Sequence, residues 1–404
     1  MYQLRKLDNF VVFTAIFISL IYIVVAANTE ASEYLPAPFF YDKADTFMDF
    51  FTVQYWAYHE DRYTEWQSIY TPFSFWIVSI FPYSESGYAP KILRDEGAFI
   101  LIGLHIITTI LILYFQSKTI IRSNKTLLIM LLSMPFLFTL ERGNLLFIAL
   151  LFVLIGSLNY KKIWVFSIFM AMAISLKIYL IALLFIPLLN LQFFRIILTL
   201  LLALFINLIS ANLLGESNWW LFMSNILEFS SDPRHYEWSY FTYSYQNILL
   251  AFTALYPEYE NIVFWSNLLV LYITFVFFLL VSTKYLLSSI SYRDTRRNML
   301  FLLLIMLIMI VVKNSGGYVF ILLFPFLSSI IFNRVALYVF LLLLLPIEIP
   351  LMTLDTITHE SWISGQQVEI SRDVTLGMIL RPLLFLILYY MVSLNFLVKK
   401  KSHV

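Results

Sequence analysis

Asp45 and Asp49 stand four residues apart in the aromatic stretch Asp45-Thr46-Phe47-Met48-Asp49-Phe50-Phe51. On a helix they share one face, and the apolar residues between them let such a helix lie in a membrane interface. A carboxylate held at that depth is partly desolvated and poised to take a proton from an incoming hydroxyl; the plainer alternative is a helix cap or a water-facing acid. Tyr70-Thr71-Pro72 then opens the next apolar piece. Further on, Glu141-Arg142-Gly143-Asn144 interrupts a hydrophobic run from 127 to 158. Gly and Asn serve a helical-hairpin turn, but a turn needs no Glu–Arg couple. Arg142 suits bidentate contact with phosphate or carboxylate, and Glu141 could orient it. Lys177, in Ser175-Leu176-Lys177-Ile178-Tyr179, is either a snorkelling lysine at a helix end or a cation held to meet an anionic head group. Lys313, before Asn314-Ser315-Gly316-Gly317-Tyr318, poses the same choice, with glycines that let backbone N–H groups point at an anion.

The elements that must position these groups are membrane helices. Of 404 residues, 61% are hydrophobic and 13% charged, a balance that a water-soluble globule of this length could not hide. Apolar runs predict spans near 10–27, 97–116, 126–140, 144–158, 163–176, 178–192, 196–214, 262–283, 298–313, 318–332, 335–351 and 375–396. Two shorter pieces, 71–82 and 245–256, read as re-entrant. The expected fold is all-α: a polytopic transmembrane helical bundle of about ten to thirteen spans, with outer loops carrying short amphipathic helices. It reads as one integral-membrane domain over 1–404, with outer loops at 28–96 and 215–261, and the first run reads as an uncleaved signal anchor. Lys and Arg in short loops stay cytoplasmic. The clusters Arg5/Lys6, Lys118/Arg122/Lys125, Lys161/Lys162, Arg195, Lys284/Arg293/Arg296/Arg297, Arg334 and Lys399–Lys401 therefore put both termini inside. The Glu141–Asn144 turn, Lys177 and Lys313 then share the outer face with the two long loops. A multi-pass plasma-membrane protein of a bacterium is the expected localisation.

Other chemistries are narrowed by what the chain lacks. With no cysteine, disulfides, thiolate metal sites and Cys nucleophiles are out. The ten glycines form neither a P-loop nor a dinucleotide fingerprint. A net charge of +1 with scattered bases gives no sign of a nucleic-acid partner. The five histidines show no ligand spacing, and no carboxylate cluster demands a metal. In the second outer loop Trp219, Trp220, His235, Trp238, Tyr240, Tyr243 and Tyr245 precede Gln246-Asn247. Such residues read as an interfacial aromatic belt, with sugar stacking as the functional option.

Together these features resemble the polytopic glycosyltransferases of the GT-C class, and within it glycosyltransferase family 87, which includes polyprenyl-phosphate-mannose-dependent mannosyltransferases. The resemblance runs from the first outer loop to the last span on short motifs. Asp49 matches the family's acidic residue in the first outer loop, and Tyr70-Thr71-Pro72 its Tyr-Pro-Pro-like element with the middle proline replaced. Glu141 to Asn144 matches its Gly-Gln-Asn or Glu-Arg-Gly-Asn turn, and Lys177 its membrane lysine, often followed by proline, although here Ile178-Tyr179 follows. Gln246-Asn247 resembles its Asn-Gln-Ser element with changed residues. The resemblance implies transfer of a sugar from a polyprenyl-phosphate donor to a lipid or glycan acceptor on the non-cytoplasmic face, by one inverting displacement and without a cofactor. Asp49 is then the general base, while Arg142, Lys177 and Lys313 neutralise the leaving phosphate. Asp45, Tyr70, Glu141, Asn144, Gln246 and Asn247 complete the expected binding residues. Two other classes remain open: an O-antigen ligase or polymerase, against which the acidic first loop argues, and a transporter or flippase of lipid-linked saccharides. The latter calls for polar groups at the bilayer midplane and internal repeats.

Overall fold

The computed structural model describes residues 48–80, 132–231, 242–312, 317–326, 333–345, 349–360 and 367–398, with isolated residues 17, 103, 107, 111, 329 and 347. Apart from the isolated residues 17, 103, 107 and 111, the expected spans 10–27 and 97–116 lie outside the described residues, as do the candidates Asp45 and Lys313.

The chain is mostly helical. Helix α1 (Met48–Ala57) is followed by a 3-10 turn, Glu60–Arg62, and by α2 (Pro72–Ser79). Then come α3 (Met134–Arg142), α4 (Leu146–Leu158), α5 (Ile163–Leu176), a 3-10 segment Ile178–Leu184, α6 (Phe185–Leu189) and α7 (Phe193–Leu213). The second half holds α8 (Phe222–Ser231), α9 (Tyr245–Leu255), α10 (Glu260–Leu286), α11 (Ile290–Val311), a 3-10 segment Gly317–Phe326 and α12 (Arg334–Leu343). Strands β1 (Pro350–Glu360) and β2 (Gln367–Thr375) lead into α13 (Leu376–Val398).

Among the described residues, three helical segments are long and apolar enough to cross a membrane: Phe193–Leu213, Pro257–Leu286 and Leu376–Val398. At 1.5 Å per residue, about 20 residues match a hydrocarbon core of about 30 Å. On α7 the large apolar side chains of Phe194, Ile197, Leu201 and Phe205 lie exposed at helical spacing, as do those of Ile262, Trp265, Leu269 and Tyr272 on α10. A stripe of this kind is stable against lipid and not against water.

Several expected spans are corrected. The run 178–192 is broken into a 3-10 segment and the short α6, and 318–332 begins as 3-10 through Phe326. Each run carries a proline, Pro187 or Pro325, whose ring removes a backbone donor and crowds the preceding turn. The run 126–140 is not one helix either: Leu132 and Ser133 are non-helical, and α3 starts only at Met134, with Pro135 in its first turn. The run 335–351 ends as helix at Leu343 and gives way to a strand at Pro350. An antiparallel hairpin, pairing Ile357 with Ile370 and Thr358 with Glu369, thus departs from the all-α expectation. The pieces read as re-entrant form the short helices α2 and α9.

Helices α2, α5 and α7 pack together, with α4 against α5 and α1 against α2. Helices α9, α10, α11 and α13 form a second group, with α12 on α13. The segment Gly317–Phe326, almost wholly buried, packs on α3, α4 and α11 and so joins the two groups. Its Phe320 ring stacks on Tyr243 at 4.4 Å and on Phe340 at 5.7 Å. Tyr243, expected in an interfacial belt, is therefore a core residue, its hydroxyl donating to the Leu343 carbonyl.

Candidate active site

Glu141 and Arg142 are the last residues of α3 rather than part of a loose turn, and Gly143 ends the helix in the left-handed region at φ 61°. Arg142 reaches α1 from this last turn of α3. Its Nη2 donates to Asp49 Oδ1 at 2.7 Å, and its Nε approaches the same oxygen at 3.3 Å. Asn144 Nδ2 donates to the other oxygen, Oδ2, at 2.6 Å. The Asn144 amide is fixed for this task, because its Oδ1 accepts the backbone N–H of Leu146 and the NH₂ group must then face Asp49. Helix α1 is held by the buried side chains of Phe50, Val53 and Ala57, spaced as one helical face, which leaves the neighbouring Asp49 partly exposed at 19%.

Lys177 breaks the regular backbone between α5 and the following 3-10 segment, with φ −138° and ψ 98°. The carbonyls freed at this break are held by the Tyr70-Thr71-Pro72 element. The Thr71 hydroxyl donates to Ser175 O, and Ser74 Oγ lies 3.4 Å from both Ser175 O and Leu176 O. Asn207 of α7 adds a bond to Ser175 Oγ at 2.9 Å while its Oδ1 accepts the N–H of Phe73. Lys177 Nζ comes to rest 4.9 Å from the centre of the Tyr70 ring. It has no hydrogen bond or ion pair with any described residue, although Asp49 lies within electrostatic reach. A cation seated on an aromatic ring beside a carboxylate that is already paired is suited to a further anion.

Burial pushes the Asp49 carboxyl upward, but the charge and hydrogen bonds of Arg142, the amide of Asn144 and the charge of Lys177 outweigh it. The carboxyl lies below its ordinary 3.8. The Tyr70 phenol is raised well above 10, chiefly by burial and further by Asp49, so it stays a neutral hydroxyl. A lowered carboxyl pKa stabilises the fold above the unfolded value, and that stability is lost as pH falls through the folded value. Thermal stability of the wild type relative to Asp49→Asn is therefore expected to stay flat from pH 7 to pH 5 and to decline only below the ordinary carboxylate range. A difference that vanishes already between pH 6 and pH 5 would contradict this.

Asp49, Arg142, Asn144, Lys177 and Tyr70 are thus brought together, from positions up to 128 residues apart in sequence. Glu141 sits on the same last turn of α3. Gln246 and Asn247 lie on α9, which packs chiefly on α13, α10 and α11. Tyr179 and Tyr318 were not expected. Both act electrostatically on Tyr70, Tyr318 lies 5.6 Å from the Phe138 ring of α3, and the buried Tyr179 hydroxyl has no hydrogen-bond partner among the described residues. Tyr179, directly after Lys177-Ile178, was within reach of sequence reasoning as a polar tip in an apolar run. Among the described residues no group of three or more His, Asp or Glu could hold a metal ion. Comparison with family models, with curated proteins and with solved structures finds no match to this chain.

Proposed function

We propose that the chain is a multi-pass membrane glycosyltransferase. It moves a sugar, mannose or another hexose or pentose, from a polyprenyl-phosphate donor to a lipid or glycan acceptor on the extracytoplasmic face, with inversion. The same proposal carries about ten to thirteen crossings in a GT-C-like arrangement with both termini in the cytoplasm of a bacterial cell. The observation that supports it most is the carboxylate of Asp49, clipped by Arg142 and Asn144, with the Lys177 ammonium beside it.

In the proposed reaction the acceptor oxygen attacks the anomeric carbon as the bond from that carbon to the phosphate oxygen breaks. The bonding pair leaves with the phosphate, and the acceptor's proton passes to Asp49. The attacking hydroxyl becomes a strong acid as its bond to carbon forms, so a carboxylate of lowered pKa suffices for a late transfer. A carboxylate offers about four lone-pair sites, and the three contacts here leave room on Oδ2 for the incoming hydroxyl. Arg142 takes a different part from the one the sequence suggested. Bound to Asp49 through both Nε and Nη2, it holds the base, and the phosphate falls to Lys177, with the Tyr179 hydroxyl as a donor nearby.

The test is transfer by the purified full chain from a radiolabelled polyprenyl-phosphate sugar to a cell-envelope lipid extract. Lys177→Gln is expected to weaken donor binding about tenfold or more, the range for a lost charge-assisted bond. Unchanged donor affinity would remove Lys177 from the phosphate. Translocation of a fluorescent lipid-linked saccharide without any transfer would favour the transporter instead.

A further inference from the structure

A second charged group stands at the other end of α5, about 20 Å from Lys177 at 1.5 Å per helical residue. There the turn between α4 and α5 carries Tyr160, and two guanidinium groups converge on it. The central carbons of Arg195 and of Arg297 each lie 4.2 Å from the centre of the Tyr160 ring, so the two cations are separated by no more than twice that distance. Arg195, at the start of α7, is only 5% exposed and also lies over Phe166 at 5.2 Å. It donates through Nη1 to Gln192 Oε1 at 2.6 Å, and the Tyr160 hydroxyl donates to the same oxygen at 2.8 Å. The turn that presents Gln192 includes Leu191 at φ 55°, a left-handed conformation unusual for leucine.

Two features point beyond packing. No carboxylate among the described residues pairs with Arg195, and its buried Nε–H has no hydrogen-bond partner among them. A guanidinium taken out of water ordinarily has an anion beside it. The rim of the group then says what kind of anion fits. Lys161 and Lys162 are exposed next to Tyr160, Arg293 and Arg296 lie on the same helix as Arg297, and the flanking Trp164, Leu191, Phe193 and Phe194 expose large apolar surfaces. Basic side chains set among exposed apolar ones match a head group whose acyl chains continue along the protein.

We propose that Tyr160, Arg195 and Arg297 form a binding site for the phosphate of an anionic lipid, at the end of the helices opposite Asp49. The planar guanidinium groups supply paired N–H donors to phosphate oxygens, Tyr160 holds them in place by stacking, and the lysines of the rim add charge. The site stands whether or not the Asp49 group transfers a sugar.

The experiment uses the delipidated full chain in a neutral detergent. Phosphatidylglycerol, dioleoylglycerol (which lacks the phosphate) and inorganic phosphate are added separately, and bound lipid is read by native mass spectrometry beside the thermal midpoint. Phosphatidylglycerol is expected to remain bound and to raise the midpoint, and dioleoylglycerol to do neither. Arg297→Gln is expected to weaken the phosphatidylglycerol effect about tenfold, with Arg297→Lys retaining part of it because charge survives and the planar stack does not. Because Arg195→Gln alters a buried position, the partly exposed Arg297 carries the decision. Equal effects of phosphatidylglycerol and dioleoylglycerol would overturn the proposal, as would undiminished binding in Arg297→Gln. A midpoint rise with inorganic phosphate as large as that with the lipid would overturn the lipid assignment.

Discussion

Asp49→Asn is expected to lower the turnover number for sugar transfer by about 10²- to 10⁴-fold, the span associated with loss of a positioned general base. Donor affinity should hold or rise, because removing the negative charge leaves Arg142 and Lys177 to attract the phosphate. This combination separates two roles that one carboxylate can play. If Asp49 only clipped Arg142 in place, Arg142→Gln and Asp49→Asn would cost the same, and both would act through stability and donor binding. If Asp49 takes the proton, Asp49→Asn falls well below Arg142→Gln in turnover while the thermal midpoints of the two variants remain close. Asp49→Glu supplies the control: it restores a carboxylate about one methylene out of register and should recover a small fraction of transfer. Wild-type turnover in Asp49→Asn, with the donor bound, would end the proposed mechanism.

The types of residue that could do this were legible along the chain because each interrupts an apolar run, where a charge is expensive. Their pairing was not. Asp49 and Arg142 are 93 residues apart and meet only where the end of α3 packs against α1. The same limit hid Asn207, whose amide secures the break before Lys177 from another helix, and Arg381, wholly buried in α13 with a bond to Leu345 O. Apolar runs mark where a chain leaves water, but an all-round apolar sequence carries no period. The 3-10 segments at Ile178–Leu184 and Gly317–Phe326 were therefore read as ordinary spans. The hairpin is a different kind of miss. Leu351-Met352-Thr353-Leu354-Asp355-Thr356-Ile357-Thr358 is rich in β-branched residues, but Leu354 and Ile357 are three apart and break any two-residue alternation, and the apolar run ahead of it extends the expected span to 351.

The largest effect on stability is expected at a pair that no motif announced. Arg62 Nη1 meets Glu216 Oε2 at 3.0 Å, both side chains only 3% exposed and 154 residues apart. Arg62 also donates to the carbonyls of Trp56 and Ala57, at the end of α1, while Glu216 Oε1 accepts the N–H of Asn218. The pair thus ties the helix bearing Asp49 to the segment that follows α7, and Asn225 reinforces the tie by donating to Tyr63 O and Ser68 O. Arg62→Ala leaves a buried carboxylate without its cation, a change that costs about 3–5 kcal/mol, whereas replacing both partners with apolar residues of similar volume is often close to neutral. Arg62→Ala is therefore expected to lower the thermal midpoint sharply, and Arg62→Met with Glu216→Leu to recover much of the loss. Recovery should be incomplete, because Arg62 also serves the α1 carbonyls. Transfer should weaken in the double variant even where stability returns, since α1 is then freer to shift Asp49 from Asn144. A double variant no more stable than Arg62→Ala would locate the cost in those carbonyls rather than in the stranded charge.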